Sequence, residues 1–217
     1  MEINKIYNTD CMDFMSNLEN NSIDLTLTDI PYNSVNRKSN GLRNLDKGKA
    51  DILAFDLDNF LSEVYRITKS SIIIFCGLEQ VSTIGSYFSE LQKQKKGTVR
   101  QLIWSKTNPS PMNGQYVYLS SVENAIWFRK SKGTFNAHCK KCVFTYPSGR
   151  SKLHPTEKNI DLIKELILDN SNEGDLVFDP CTGSGTHLLA AKELKRNYLG
   201  CELDTDWAKV AIERLEK

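Results

Sequence analysis

The spacing of apolar residues along the chain changes several times, and each change marks an element. Leu25-Thr26-Leu27-Thr28 is a short apolar and threonine run that ends in Asp29-Ile30-Pro31-Tyr32, the pattern of a strand entering a turn. Residues 33–50 are rich in Asn, Ser, Gly, Lys and Arg and show no period. Carried to the next element, they predict a mobile loop over 33–55, of the kind that often serves function. Leu57, Phe60, Leu61, Val64 and Ile67 recur at helical spacing. The run Ser71-Ile72-Ile73-Ile74-Phe75-Cys76-Gly77 is continuously β-branched or aromatic, as a buried parallel strand should be.

Further on, the pattern predicts a helix over 79–91, strands over 99–104 and 124–128, and a helix over 160–168. A strand at 176–178 leads into Asp179-Pro180-Cys181-Thr182-Gly183-Ser184-Gly185-Thr186. A helix over 187–194, a strand over 198–201 and a helix over 207–215 complete the alternation. Strands alternating with helices predict a mostly parallel, twisted Rossmann-like α/β sheet in a single domain over 1–217. Ligands of such sheets bind at the carboxyl ends of strands, and two strands here end in Asp with Pro following, at Asp29 and Asp179. Both should project from the same edge.

Gly183 and Gly185 let the backbone come close to a ligand at a helix start, and Glu202 follows at the end of the next strand, where an acid commonly receives ribose hydroxyls. Thr186-His187 stands where a phosphate loop would carry Lys-Ser/Thr, and Leu188 where a dinucleotide loop would carry its third Gly. A nucleoside without a bound pyrophosphate fits best, and S-adenosylmethionine is such a ligand. His187 is expected on the helix surface or the cofactor edge.

Composition alters this picture little, but charge alters it considerably. Forty per cent hydrophobic and 25% charged residues exclude disorder, collagen and coiled coil. No apolar run approaches the ~20 residues of a membrane helix, and six scattered Cys suggest a reduced cytoplasmic setting. Cys139 and Cys142, with His138, fall short of the four ligands of a structural zinc site. The net charge of +1 hides blocks. Residues 1–35 carry one Lys against six acids, net −5, and residues 153–217 carry 8 basic against 13 acidic residues, also −5. The middle, 36–152, holds 19 basic against 8 acidic residues, net +11, and from Lys106 to Lys152 the single acid is Glu123. Such a block suits phosphate neutralisation.

Together these residues resemble the amino-methyltransferases of DNA. Asp29-Ile30-Pro31-Tyr32 is similar to the family's Asp/Asn/Ser-Pro-Pro-Tyr catalytic motif, and residues 179–186 to its cofactor loop. Gly200-Cys201-Glu202 resembles the ribose-binding element, His154-Pro155-Thr156-Glu157-Lys158 the element lining the methionine end of the cofactor, and Asp10-Cys11 the segment contacting adenine. The catalytic motif precedes the cofactor loop, as in the circularly permuted beta group. The resemblance implies S-adenosylmethionine held by Asp10, Cys11, His154, Thr156, Lys158, Asp179, Pro180, Thr182, Gly183, Ser184, Gly185, Thr186 and Glu202.

It also implies catalysis by Asp29, the Ile30 carbonyl, Pro31 and a stacking Tyr32 on a base flipped out of double-stranded DNA. The motif departs at Ile30, where the family has Pro; Ile supplies the same carbonyl, and Pro31 keeps it extended. Asp in the first position favours adenine N6 over cytosine N4, with an inactive DNA-binding subunit as the rival reading. A nucleotide-binding oxidoreductase is disfavoured by the incomplete dinucleotide pattern. A target-recognition region is expected over about 105–152. DNA contacts are assigned to Arg37, Lys38, Arg43, Lys106, Arg129, Lys130 and Lys132. A homodimer and a companion restriction endonuclease are further expectations. No metal is expected.

Overall fold

The structure is a computed structural model and describes residues 2–32, 53–111, 114–149 and 157–216. Eight strands and six helices follow one another within these residues: β1 (Lys5–Asn8), α1 (Cys11–Ser16), β2 (Ile23–Asp29), α2 (Leu57–Ile67), β3 (Thr68–Cys76), α3 (Leu78–Lys93), β4 (Gly97–Lys106), β5 (Val122–Lys130), β6 (Val143–Tyr146), α4 (Ile160–Asn170), β7 (Leu176–Asp179), α5 (Thr186–Glu193), β8 (Asn197–Glu202) and α6 (Thr205–Glu216). The strands form one sheet in the order β1-β8-β7-β2-β3-β5-β4-β6.

The pairings of β1 with β8, β8 with β7, β7 with β2, β2 with β3 and β4 with β6 are parallel; β5 runs antiparallel to both β3 and β4. The sheet is therefore mostly parallel, with one strand reversed. The three short elements β1, α1 and β6 carry no sequence period. β1 and β6 have four residues each and lie at the edges, so pairing to β8 and β4 creates them rather than local preference.

Successive residues of a strand face opposite sides, and β3 shows both sides buried. Ile72, Ile74 and Cys76 pack with Phe14 and Met15 of α1, Phe60, Leu61 and Val64 of α2, and Ile84 and Phe88 of α3. Ile73 and Phe75 pack on the other side with Leu162, Ile163, Leu166 and Ile167 of α4 and Ala190 and Ala191 of α5. Helices thus cover both faces, which is why β3 is apolar without alternation. α6 closes the end of the sheet with Ala211 and Leu215 against Ile6 and Leu188.

Capping fixes where the helices start. Asp56 accepts from the Asn59 amide at 2.9 Å, so α2 begins at Leu57, where the helical spacing begins. The expected loop over 33–55 lies outside the described residues except for its last three positions.

Candidate active site

β2 and β7 are parallel neighbours, with Thr26 opposite Phe178, so Asp29 and Asp179 leave the same edge of the sheet although they stand 150 positions apart in the chain. β3 flanks β2 on its other side, and Asp29 is opposite Phe75. The turn after β2 is held by three contacts. The Ile30 amide donates to the Phe75 carbonyl at 3.2 Å. The Gln80 side-chain amide donates to the Pro31 carbonyl at 2.8 Å while its oxygen accepts from the Gly77 amide at 2.9 Å. The Ile30 side chain is buried in the core, which explains why an aliphatic residue is accepted here. Gly77 lets the chain pass close to the turn: a Cβ there would lie 3.1 Å from the Tyr32 Cβ.

Around Asp29 the structure gathers four more polar residues. Tyr32 donates its hydroxyl to Asp29 Oδ1 at 2.8 Å, and Lys158 places its ammonium 2.5 Å from Asp29 Oδ2 and 3.1 Å from the Tyr32 hydroxyl. The same ammonium lies 3.0 Å from Glu123 Oε2, and Lys106 lies 2.6 Å from Glu123 Oε1. Two carboxylates and two ammoniums thus alternate in one partly buried chain. Burial works against the Lys158 charge, but Asp29 and Glu123 together overcome it and hold its pKa above the ordinary lysine value. Burial likewise pushes Glu123 up, and Lys158 and Lys106 reverse that, leaving its carboxyl below the usual range. Tyr32 is pushed well above its ordinary value by burial and by Asp29 and Glu123, so it stays a neutral donor.

At the neighbouring strand ends lies the glycine loop. Gly183 (φ +51°) and Gly185 (φ +82°) both adopt left-handed backbone. Gly183 has open space where a side chain would be, whereas Gly185 is pressed by α6, with Leu215 3.0 Å from the place of a Cβ. Glu202 accepts from the Gly183 amide at 2.8 Å and from the Asp204 amide at 2.9 Å. Burial holds its carboxyl above the ordinary value despite these two donors. Thr182 donates its hydroxyl to the Asp179 carbonyl at 3.0 Å. Arg214 of α6 reaches Glu157 at 2.5 Å and the Thr186 hydroxyl at 3.1 Å, and Thr186 donates to Glu157 at 2.8 Å. Ser184 is tied to the same Arg214 through its carbonyl at 3.2 Å.

Of the residues expected on the cofactor, Asp179, Pro180, Thr182, Gly183, Ser184, Gly185, Thr186 and Glu202 therefore come together along one edge. Asp10 and Cys11 join them through β1: the Thr9 amide donates to the Glu202 carbonyl at 3.1 Å, and Asp10 accepts from the Met12 amide at 2.7 Å as the cap of α1. Lys158, expected at the methionine end of the cofactor, has its ammonium on Asp29. His154, Thr156, Arg37, Lys38 and Arg43 lie outside the described residues. His187 departs from expectation. It is buried, with Nδ1 2.7 Å from Asp179 Oδ2 and its ring stacked near Phe75. α5 starts one residue earlier than expected, at Thr186, and the Asp179 carboxylate holds position 187 inward. Cys181 is no nucleophile, since a hydrogen bond with Cys11 and burial push its thiol well above the ordinary value.

The structure also divides the basic residues. Because β5 runs antiparallel to β3, Arg129 is opposite Ser71, near the start of β3, while Asp29 is opposite Phe75 near its end. Arg129, Lys130 and Lys132 therefore lie toward the sheet edge away from Asp29. Lys130 donates to Asn21 at 2.9 Å and lies over the Tyr65 ring, and burial lowers its pKa to about 8. Lys106 does stand at the Asp29 edge, but its ammonium is engaged by Glu123. Glu123 and Gln80 are site residues that sequence reasoning missed. For Glu123 a signal existed, since it is the lone acid in a basic stretch; for Gln80 none did.

Three kinds of comparison place this geometry among known proteins. A family model described as DNA methylase, of the N6/N4 methyltransferase type, matches residues 23–213. The type II methyltransferase M.HpaI of Haemophilus parainfluenzae is 31% identical, with 93% of this chain and 71% of that protein covered. M.HinfI of Haemophilus influenzae is 29% identical over 99% of this chain and 69% of that protein. Among solved structures, the M1.HpyAVI–SAM complex superposes with a TM-score of 0.72 at 26% identity, covering 97% of this chain and 98% of that one.

Proposed function

The chain belongs to the DNA methylase family of N6 and N4 methyltransferases and is an S-adenosylmethionine-dependent DNA methyltransferase, and we propose that Asp29 is the acceptor that prepares an adenine N6 amino group for methylation. The observation that carries this reading is the position of the Asp29 carboxylate, on the strand end beside the one that opens the glycine loop.

The residues of that loop suit the cofactor. Glu202 offers a carboxylate for ribose hydroxyls, Gly183 leaves open space beside it, and Asp10 stands at the adjoining strand end. When bound, S-adenosylmethionine supplies an electrophilic methyl group. Glu202, Gly183 and Asp10 would hold its nucleoside, and the Asp29 carboxylate suits a positively charged centre.

The amino nitrogen of adenine is a poor nucleophile because its lone pair is delocalised into the ring. Hydrogen bonds accepted from it by Asp29 and by the Ile30 carbonyl localise that pair, and charged acceptors are the stronger kind. Tyr32 lies at the mouth of the turn, suited to the face of a base drawn out of the helix. Asp in the first motif position favours adenine over cytosine. Arg37, Lys38 and Arg43 are the remaining candidates for duplex contacts, with residues 105–152 as the recognition region. A restriction–modification setting with a companion endonuclease, a homodimer and a cytoplasmic location complete the reading. Among the described residues no helix is long and apolar enough to cross a membrane.

The test is to incubate the protein with methyl-labelled S-adenosylmethionine and duplex DNA, digest the DNA and identify the modified base by mass spectrometry. N6-methyladenine that disappears with Asp29→Ala is the expected result. N4-methylcytosine would correct the base, and cofactor binding without transfer to any DNA would favour the inactive subunit.

A further inference from the structure

In this structure both Asp29 oxygens are already in use, Oδ1 by the Tyr32 hydroxyl and Oδ2 by the Lys158 ammonium. An amino group competes with these two donors for the carboxylate's lone pairs, and it is held more strongly when one of them withdraws. Both have the same second acceptor within reach. Glu123 Oε2 lies 3.0 Å from the Lys158 ammonium and 3.5 Å from the Tyr32 hydroxyl. Its other oxygen is fixed by Lys106, and Glu123 is the second residue of β5, opposite Trp104 of β4, so it sits on paired strands rather than on a free loop.

We infer that Glu123 is a positioning residue, the alternate seat that receives Lys158 and Tyr32 when the target amino group takes their place on Asp29. This inference rests on the proposed role of Asp29. It assigns Lys158 a part in exposing the acceptor and Lys106 the part of fixing the seat. The charged and titratable groups facing Glu123 are Lys106 from β4, Lys158 from the segment before α4, and Tyr32 and Asp29 from β2 and its turn; Cys76 of β3 adjoins Asp29, its thiol pushed up to about 12 by burial.

The test uses the full chain and compares E123Q, E123D and K106M with the unaltered protein. In E123Q the seat no longer carries charge, Lys158 stays on Asp29, and kcat falls about 10- to 100-fold, the scale of one charged hydrogen bond. The Kd for S-adenosylmethionine stays within twofold. E123D, which keeps the charge, recovers most of kcat. K106M leaves the Glu123 carboxylate unfixed, so kcat falls while the Kd for S-adenosylmethionine stays within twofold. Recovery by E123D with an unmoved Kd is not produced by general disruption, and if E123Q fails to fold, the K106M split of kcat from Kd decides. A kcat for E123Q within twofold of the unaltered protein would overturn the inference while leaving the methyltransferase reading intact, as would an E123D kcat no higher than that of E123Q. Absence of transfer by the unaltered protein to any DNA would overturn the reading itself and the inference with it.

Discussion

Glu157 and Lys158 are consecutive residues that serve opposite halves of the site. Glu157 accepts from Thr186 of the glycine loop at 2.8 Å and from Arg214 at 2.5 Å, while Lys158 reaches across to Asp29 at 2.5 Å. One short segment therefore ties the cofactor loop to the catalytic turn, and a disturbance on either side has a covalent route to the other.

The ammonium of Lys158 is almost wholly enclosed, its side chain 4% exposed between two carboxylates. Lys158→Met leaves Asp29 without its ammonium and Glu123 with Lys106 alone. Breaking a buried pair in this way costs about 3–5 kcal/mol, and at about 2–4 °C per kcal/mol for a chain of this size the melting temperature should fall by roughly 6–20 °C. Calorimetry measures it; a fall of under 2 °C would show that the network contributes little to stability.

Arg214 and Glu157 should act on cofactor affinity as a unit. We expect R214A and E157Q each to weaken S-adenosylmethionine binding about three- to tenfold, and the double variant to be little worse than either alone. A coupling of about 0.5–3 kcal/mol is the range for contacting groups. Titration calorimetry on the four proteins reads it, and additive losses would place the two residues in separate roles.

Cofactor binding should depend on acidity through Glu202. Burial holds this carboxyl above its ordinary value, so on lowering the pH it takes up its proton earlier than an exposed glutamate does. The proton removes the charge that favours ribose hydroxyls as donors, and affinity falls as pH drops through that raised value. Affinity should accordingly decline before the ordinary carboxylate range is reached, and E202Q should weaken binding about tenfold while flattening the profile. An unchanged profile in E202Q would assign the dependence elsewhere.

Lys132 offers a test of how the basic block is divided. It follows β5 at the sheet edge away from Asp29, so Lys132→Ala should change duplex DNA affinity less than twofold at moderate salt. A tenfold loss with a reduced salt slope would put phosphate against that edge after all.

Much of this arrangement was legible in the sequence. The apolar run at 71–77, the Asp at the end of β2 and the glycines before α5 gave the alternation, the edge and the loop, because each is a local preference that the tertiary structure keeps. What was not legible came from pairing. Antiparallel β5 carries its two ends to opposite edges, so Glu123 and Arg129, six positions apart, lie in different surroundings, and a charge count along the chain averages them. His187 went inward because Asp179, eight positions earlier on β7, offers its ring nitrogen a carboxylate, and Gln80 carries no motif because its role comes from the turn it happens to face.

The adjacency of β2 and β7 also has a consequence for biosynthesis. A nascent chain exposes Asp29 about 150 residues before the strand that will lie beside it has been made. At 5–20 residues per second that interval is on the order of ten seconds. For most of it the catalytic turn has no Lys158, throughout it no glycine loop, and β2 has one of its two neighbours still unmade. Closing so distant a contact is slow. The two halves of the site can therefore meet only once β7 has been made, and a chain cut before residue 176 lacks Asp179 and the glycine loop.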